Sequence, residues 1–422
     1  MLKKIQIKQL RLGMHLHALE GPWLNHPFWK TKFVLADKSD LDKLLASGVE
    51  ACVIDTARGL DVLPERPQPA EPEPEPEPEP VTAPPVLAPA EAPAILTQAT
   101  SMAGEMKRAA ATMSRSKQAV KALFSEVRLG NAVDATECLP LVDEIAGSVW
   151  RNPGALVSLA RLKTHDDYTY MHSVAVCALM VSLARQLGLD EAKTRDAGLA
   201  GLLHDLGKAM MPSEVLNKPG KLTDAEFTIM KSHPTRGHEL LLEGGTATEG
   251  ALDVCLHHHE KMDGSGYPHG LRGDQITLLA KMGAVCDVYD AITSDRPYKN
   301  GWDPAESIRK MAEWRGGHFD DVVFQAFVKS VGIYPIGSLV RMQSGRLAVV
   351  CEQNPESLVS PKVKVFFSTR SQLHVPPEIL NLANPACADR IAARESNAQW
   401  KFTQLDELWA GPDALKRNGV AA

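Results

Sequence analysis

The chain has 422 residues, 44% of them hydrophobic and 23% charged, with a formal net charge of −6. That length suggests two or three domains, and the composition makes a soluble globular class the default. No run of about 18 apolar residues occurs, so no membrane-spanning helix is expected, and "MLKKIQIKQL" lacks the apolar stretch and cleavage site of a signal peptide.

Residues 1–62 read as a small α+β domain. Ile5 and Ile7 alternate with polar residues in "KKIQIKQL", a strand pattern. Ser39 is placed to cap a short helix ending near Gly48, "VEACVID" reads as a second strand, and Trp23, Phe28 and Trp29 supply core mass. His15, His17 and His26 are taken as ordinary core or surface histidines rather than metal ligands. Residues 63–95 are a linker. In "PEPEPEPEP" proline at alternate positions blocks helix and sheet hydrogen bonding, which predicts an extended spacer of roughly 3 Å per residue. Seven glutamates and one arginine in this stretch account for the whole net charge. The remainder is neutral, so the acidic total does not argue against an anionic substrate.

Residues 96–139 hold a connecting helix. Met102, Met106, Ala109, Met113, Ser116, Val120, Leu123 and Val127 follow spacings of four and three, a heptad seam. Two arrangements satisfy it: pairing over 102–127 in a homodimer, or one helix lying against its own domain. Residues 140–335 read as almost entirely helical. "DDYTYMHSVAVCALMVSLARQLG" predicts an amphipathic helix, "LDEAKTRDAGLAGLLHDLGK" a second that stops at Gly207, and "TDAEFTIMKSHP" opens with a Thr223–Glu226 capping box. From 336 to 422 the period changes to two, with a hairpin at Ser344–Gly345 and alternation at Val363, Val365 and Phe367, so a small β extension is expected. Seven scattered cysteines without a C-x-x-C pair predict reduced thiols and a cytoplasmic location.

Ten of the fourteen histidines fall between 165 and 318. "LAGLLHDLGK" puts His204 and Asp205 at the end of an apolar helix, where an aspartate can bridge two ions, and Lys208 lies one turn on, able to meet a phosphate. Asp287, amid Val285, Cys286 and Val288, requires a partner because an unpaired buried carboxylate is costly. Asp290 shares its face. His172 lies mid-helix, and His233 precedes Pro234 at a helix boundary. "LHHHEKMDGSGYP" adds three histidines beside a glycine-rich turn. The joint inventory is His172, His204, Asp205, His233, two of the three histidines at 257–259, and Asp287. Imidazole nitrogens and carboxylate oxygens without thiolate suit Fe, Mn or Zn. Seven ligands exceed one tetrahedral ion and fit two. Two metals about 3.5–4 Å apart activate water and steady both oxygens of a phosphoester in in-line displacement. The residues read as a metal-dependent phosphoester hydrolase.

"HDLGK", "HHEKMDGSGYP" and "DVYDAITSDRPYK" resemble, in order and spacing, the motifs of the HD-GYP branch of the HD phosphohydrolases. The resemblance spans about 165–330, and the first 60 residues resemble a small domain often found ahead of such domains. It implies a mainly α, HD-type helical bundle that hydrolyses the bacterial second messenger cyclic di-GMP to pGpG, in some members on to GMP, with an iron or manganese centre. Carried over, His172, His204, Asp205, His233, His258, His259 and Asp287 become metal ligands, with Asp205 bridging and His257 left over. His204, Asp205 and Lys208 become the catalytic set. Lys208, Tyr267, Arg296 and Lys299 become substrate contacts, and Asp290 is placed on the substrate side or behind the ligands. Glu260 and Asp263 are expected to pin the loop. Trinuclear members carry a glutamate four residues before the first motif histidine; here Tyr168 stands there, which predicts two divalent ions and pGpG as the main product. Two other readings stand beside this one: a module that binds cyclic di-GMP or protein partners without hydrolysis, and an HD hydrolase of another nucleotide. No nucleic-acid polymer is implied, and the N-terminal domain is expected to meet protein partners.

Overall fold

In the computed structural model, which describes residues 2–20, 33–35, 38, 41, 45, 51–62, 100–163, 167–295 and 301–412, the chain divides into two units, 1–95 and 96–422. The expected cap at Ser39, the aromatics Trp23, Phe28 and Trp29, and the linker lie outside the described residues. In the first unit β1 (Leu2–Gln6), β2 (His15–Glu20), β3 (Phe33–Val34) and β4 (Ala51–Asp55) form one sheet in the order β1-β4-β2-β3. Every pairing is antiparallel. The strand signal at Ile5 and Ile7 is cut short, because the chain turns into a 3₁₀ segment at Ile7. Ile5, Leu10, Met14, Leu16, Leu35, Cys52 and Ile54 close its core.

The second unit is a helical bundle followed by a sheet. Its helices are α1 (Met102–Arg128), α2 (Leu139–Arg151), α3 (Pro153–Ala160), α4 (Tyr168–Gln186) and α5 (Glu191–Leu203), then a 3₁₀ segment (Leu206–Met210) and α6 (Ser213–Leu216). There follow α7 (Asp224–Met230), α8 (His233–Gly244), α9 (Glu249–His257), α10 (Leu278–Thr293), α11 (Pro304–Trp314) and α12 (Asp321–Val331). The amphipathic reading of α4 needs correction. All residues from Met171 to Ala184 are buried, as expected of a helix that is apolar all round, and α1, α3, α5, α10 and α12 surround it.

The seam on α1 is resolved in favour of the intrachain arrangement. Met106, Ala109, Met113, Ser116, Val120, Leu123 and Val127 are buried against α2, α3, α4 and the 3₁₀ segment of the same chain. Buried Glu105 is held by Arg151 (2.8 and 2.9 Å) and by Ser148 Oγ (2.9 Å) of α2. The stripe is thus covered by its own domain and leaves no apolar face over 102–127 for a homodimer.

After α12, β5 (Leu339–Met342), β6 (Arg346–Glu352), β7 (Lys362–Ser368), β8 (Leu373–Asn381) and β9 (Ile391–Arg394) form an antiparallel sheet in the order β8-β7-β6-β5-β9. The β5–β6 turn carries Gly345 at φ +79, a conformation that favours glycine. Val340, Met342, Ala348, Val350, Val363 and Val365 pack one face. Two short helices, α13 (Asn397–Trp400) and α14 (Leu405–Ala410), complete the described chain. Among the described residues no helix is long and apolar enough to cross a membrane.

Candidate metal centre

Five elements of the bundle deliver the polar groups that the apolar helices would otherwise exclude. His172 comes from α4, His204 and Asp205 from the end of α5, His233 from the start of α8, His258 and His259 from the end of α9, and Asp287 from α10. Asp205, His204, His233, His258, His172 and Asp287 are all buried. Their ligand atoms fall into three overlapping groups, His172–His204–Asp287, His204–Asp205–His258 and His233–His258–His259, each with its atoms within 4.8 Å of one another.

Close backbone approach makes this convergence possible. A Cβ on Gly207 would lie 1.9 Å from the carbonyl oxygen of His233, so only glycine lets the turn after "HD" press against the start of α8. That contact brings Asp205 to His233. A Cβ on Gly266 would fall 2.5 Å from Glu260 Cα and Lys261 N, so the loop after the histidine triplet folds flat on its own beginning. The buried Glu260 carboxylate accepts from the backbone N–H groups of His269 (2.7 Å), Gly270 (3.1 Å) and Leu271 (3.0 Å) and pins that loop. Asp263 accepts from the N–H of Ser265 at 2.8 Å.

The outer nitrogens of the rings set their tautomers. His204 Nδ1 faces the carbonyl of Gly201 (2.8 Å), His233 Nδ1 that of Met230 (2.8 Å), and His258 Nδ1 those of Val254 (2.9 Å) and Cys255 (3.1 Å). A carbonyl only accepts, so each Nδ1 carries the proton and each Nε2 presents its lone pair inward. His172 is oriented differently, by Asp290 Oδ2 at 2.6 Å from its Nδ1. Such outer hydrogen bonds fix ring orientation and raise ligand basicity in metal sites.

Asp205 divides its oxygens between two sets of rings. Oδ2 is 3.3 Å from Nε2 of both His172 and His204, whereas Oδ1 is 3.2 Å from His233 Nε2 and 3.7 Å from His258 Nε2. Asp287 Oδ1 lies 2.9 Å from His172 Nε2, and its Oδ2 lies 3.7 Å from His259 Nδ1. Asp205 Oδ1 is buried without a hydrogen-bond partner. An orphaned carboxylate oxygen facing two imidazole lone pairs is costly in a metal-free interior, and it fits a divalent cation. The donor set is nitrogen and oxygen with no cysteine in any of the three groups, as borderline and hard metals prefer.

The local field agrees with ligands kept ready. Burial holds His233 and His258 below the ordinary imidazole value and takes His259 down to about 3, so these rings are neutral. Burial works against the charged forms of Asp205 and Asp287. The neighbouring Lys208 and His204 nevertheless keep Asp205 well below the carboxylate range, and the hydrogen bond from His172 does the same for Asp287. His172 is the exception. Burial alone would lower it, but its bonds to Asp205, Asp287 and Asp290 lift it to about 10.

The other expected residues take different places around the centre. Lys208 Nζ lies 2.5 Å from Asp205 Oδ2, and the lysine side chain is 20% exposed. Tyr267 lays its ring on that of His259, centroids 4.7 Å apart, and burial pushes its phenol up, so it stays a neutral donor. His257 turns away, between Asp253 Oδ1 (2.8 Å) and His269 Nδ1 (3.0 Å). Asp290 corrects the substrate-side expectation: it is 2% exposed and sits behind His172. Arg296 and Lys299 lie outside the described residues. Tyr168 stacks on His172, centroids 5.8 Å apart, and Asp167 pairs with Lys117 of α1 at 3.0 Å, turned toward that helix. Sequence reasoning missed Lys163, whose fully buried ammonium pairs with Asp290 and donates to Ser294 Oγ at 2.7 Å.

Comparison with known proteins places this geometry. A family described as HD domain matches residues 154–323, and a domain of unknown function, DUF3391, matches residues 2–138. The cyclic di-GMP phosphodiesterase PA4108 of Pseudomonas aeruginosa is 53% identical over 413 residues, covering 97% of this chain and 96% of that protein. The chain belongs to the HD-GYP family of HD-domain phosphohydrolases. The cyclic di-GMP phosphodiesterase response regulator RpfG of Xanthomonas campestris is 45% identical over 35% of this chain and 39% of its own. A 3′3′-cGAMP-specific phosphodiesterase of Vibrio cholerae is 37% identical over 39% of this chain and 38% of its own. Among solved structures, the HDG"Y"P protein Bd1817 from Bdellovibrio bacteriovorus covers 77% of this chain and 98% of its own, at 16% identity and a TM-score of 0.44.

Proposed function

We propose that this protein is a cyclic di-GMP phosphodiesterase that opens the dinucleotide ring to linear pGpG. The observation that carries the reading is the split of Asp205, one oxygen toward His172 and His204 and the other toward His233 and His258. Two divalent ions fit this arrangement; the donor set suits iron, manganese or zinc, and the family resemblance favours iron or manganese. One would be held by His172, His204, Asp205 and Asp287, the other by Asp205, His233, His258 and His259. When bound, such ions supply Lewis acidity and lower the pKa of water. The engaged side chains of Tyr168 and Asp167 support two ions rather than three.

The protein's own groups do the remaining work. Asp290, backed by Lys163, fixes the His172 ring so that Nε2 points at the centre. Lys208 exchanges its contact with Asp205 for a phosphoryl oxygen of the substrate, placing a positive charge where negative charge gathers. Arg296 and Lys299 are proposed to hold the second phosphate, and Tyr267 borders the reacting group. Water adds to phosphorus as the P–O3′ bond breaks; the hydroxyl stays on the 5′-phosphate and the proton ends on O3′, which yields pGpG. Seven free cysteines agree with a reducing cytoplasm.

The test is hydrolysis by protein purified without oxygen and supplied with Fe(II) or Mn(II), incubated with cyclic di-GMP and separately with 3′3′-cGAMP. Chromatography should show pGpG from the first substrate, and elemental analysis about two metals per chain. Intact cyclic di-GMP after incubation with the metal-loaded protein would overturn the reading, and three metals with GMP as product would overturn the two-ion centre.

A further inference from the structure

A cyclic dinucleotide is larger than the pair of phosphates that the centre and its lysines account for; it also carries two purine bases. From the metal ligands outward, the structure stacks a ladder that begins at Tyr267 and runs on to groups with no part in the reaction as proposed. The Tyr267 ring lies on His259 at 4.7 Å. The ammonium of Lys231 stands 6.0 Å from the Tyr267 ring centroid and 5.2 Å from that of Phe227. Lys231 therefore sits between two aromatic rings, a favourable cation–π position, and links the centre to α7.

The outer end of this ladder is apolar and open. Phe227 is 47% exposed and Ile229, on the same short helix, 41%, while Met210, two residues beyond Lys208, is 48% exposed. The chain beside Met210 lies against the Lys231 segment, since Met211 Sδ is 3.8 Å from Ser232 Oγ, whose proton goes to the Ile229 carbonyl at 2.7 Å. Single exposed apolar residues are ordinary. An exposed aromatic ring that shares a cation with the tyrosine stacked on a metal ligand is a more specific arrangement.

We infer that Phe227 and Lys231 form a subsite for a purine base of the bound dinucleotide, the base stacking on the Phe227 ring while Lys231 meets its electronegative edge or the adjoining phosphate. The subsite rests on the phosphodiesterase reading for its ligand. Stacking of a base on an aromatic side chain is sequence-tolerant and strong enough to set affinity, so loss of the ring acts on binding and leaves the metal chemistry unchanged.

The experiment measures equilibrium binding of a non-hydrolysable phosphorothioate analogue of cyclic di-GMP to metal-loaded full-length protein. It is paired with turnover of cyclic di-GMP and of bis(p-nitrophenyl) phosphate, which has no purine. Phe227→Ala should weaken analogue binding about tenfold, equivalent to ~1.4 kcal/mol, and raise KM for cyclic di-GMP similarly with kcat within twofold. Phe227→Trp should restore both, and Lys231→Gln should weaken binding without changing metal content. Hydrolysis of bis(p-nitrophenyl) phosphate should stay constant throughout. Analogue binding by Phe227→Ala equal to wild type overturns the subsite and leaves the phosphodiesterase standing. Loss of activity on both substrates alike also overturns it. Wild-type protein that binds the analogue but never hydrolyses cyclic di-GMP overturns the enzyme and leaves the subsite; no binding by wild type overturns both.

Discussion

Asp290→Asn separates the support of the centre from the centre itself. The amide keeps an oxygen that accepts from His172 Nδ1, but it removes the charge that neutralises Lys163, whose side chain is 0% exposed. Breaking a buried pair by removing one partner costs about 3–5 kcal/mol. The hydrogen bond from Lys163 to Ser294 Oγ survives, so a loss near 3 kcal/mol is expected for metal-free protein, at the low end of that range. The second effect is independent: a weakened outer partner of a ligating histidine lowers metal affinity by about 10–100-fold. Adding Lys163→Met removes the stranded ammonium, so most of the lost stability should return, because no uncompensated buried charge remains. Metal affinity should stay low, because His172 still lacks its carboxylate. Urea unfolding of metal-free protein and Mn(II) titration followed by electron paramagnetic resonance read the two quantities separately. The reasoning fails if Asp290→Asn costs less than about 1 kcal/mol, or if the double variant regains metal affinity together with stability.

Two further outcomes follow from the same geometry. His172 is lifted to about 10 by Asp205, Asp287 and Asp290 against the opposing effect of burial; its contribution to metal-free stability is complete below the usual imidazole value of 6.5 and disappears as pH rises through about 10. A metal at Nε2 displaces that proton, while His233, His258 and His259 are already neutral, so at pH 8 loading should release at least one proton per chain, with any ionised metal-bound water adding to it; calorimetry in buffers of different ionisation heat measures it, and zero release refutes the assignment. On α1, Phe124 is 1% exposed and packs edge-on against Tyr170 at 5.5 Å; Phe124→Ala should cost about 3–5 kcal/mol without changing the sedimentation coefficient, and a change in oligomeric state at unaltered stability would revive the intersubunit seam.

Local chemistry was legible where neighbours in sequence are neighbours in space. The Thr223–Glu226 box forms, with Thr223 N donating to Glu226 Oε2 at 2.7 Å, and the hairpin turns where Gly345 permits it. Both are settled within a few residues. The α1 seam was ambiguous for a physical reason: a stripe at spacings of four and three states that a face is buried and says nothing of what buries it. The amphipathic reading of α4 failed because the two serines of its central stretch, Ser173 and Ser182, tolerate burial, so the bundle covers the helix on every side. Lys163 carried no local signal. The need for a cation was present in Asp290, a carboxylate on an apolar helix, but the lysine that answers it lies 127 residues earlier in the chain.

The two lysines that meet these aspartates act on opposite sides of the centre. His172 lies within 3.3 Å of carboxylate oxygens from Asp205, Asp287 and Asp290, a concentration of negative charge that an apolar bundle tolerates only with cations beside it. Lys163 neutralises Asp290 from behind at 0% exposure, whereas Lys208 meets Asp205 with its side chain 20% exposed. The first cation is sealed in and cannot be recruited by a ligand without opening the core. The second is open to solvent, so on the proposed reading it would exchange the carboxylate for a phosphoryl oxygen at the cost of a rotamer change. An anionic phosphodiester arriving from solvent would then meet Lys208, beside the carboxylate whose oxygens are divided between the two sets of rings. Lys163 stays with Asp290 and keeps His172 aimed at the centre.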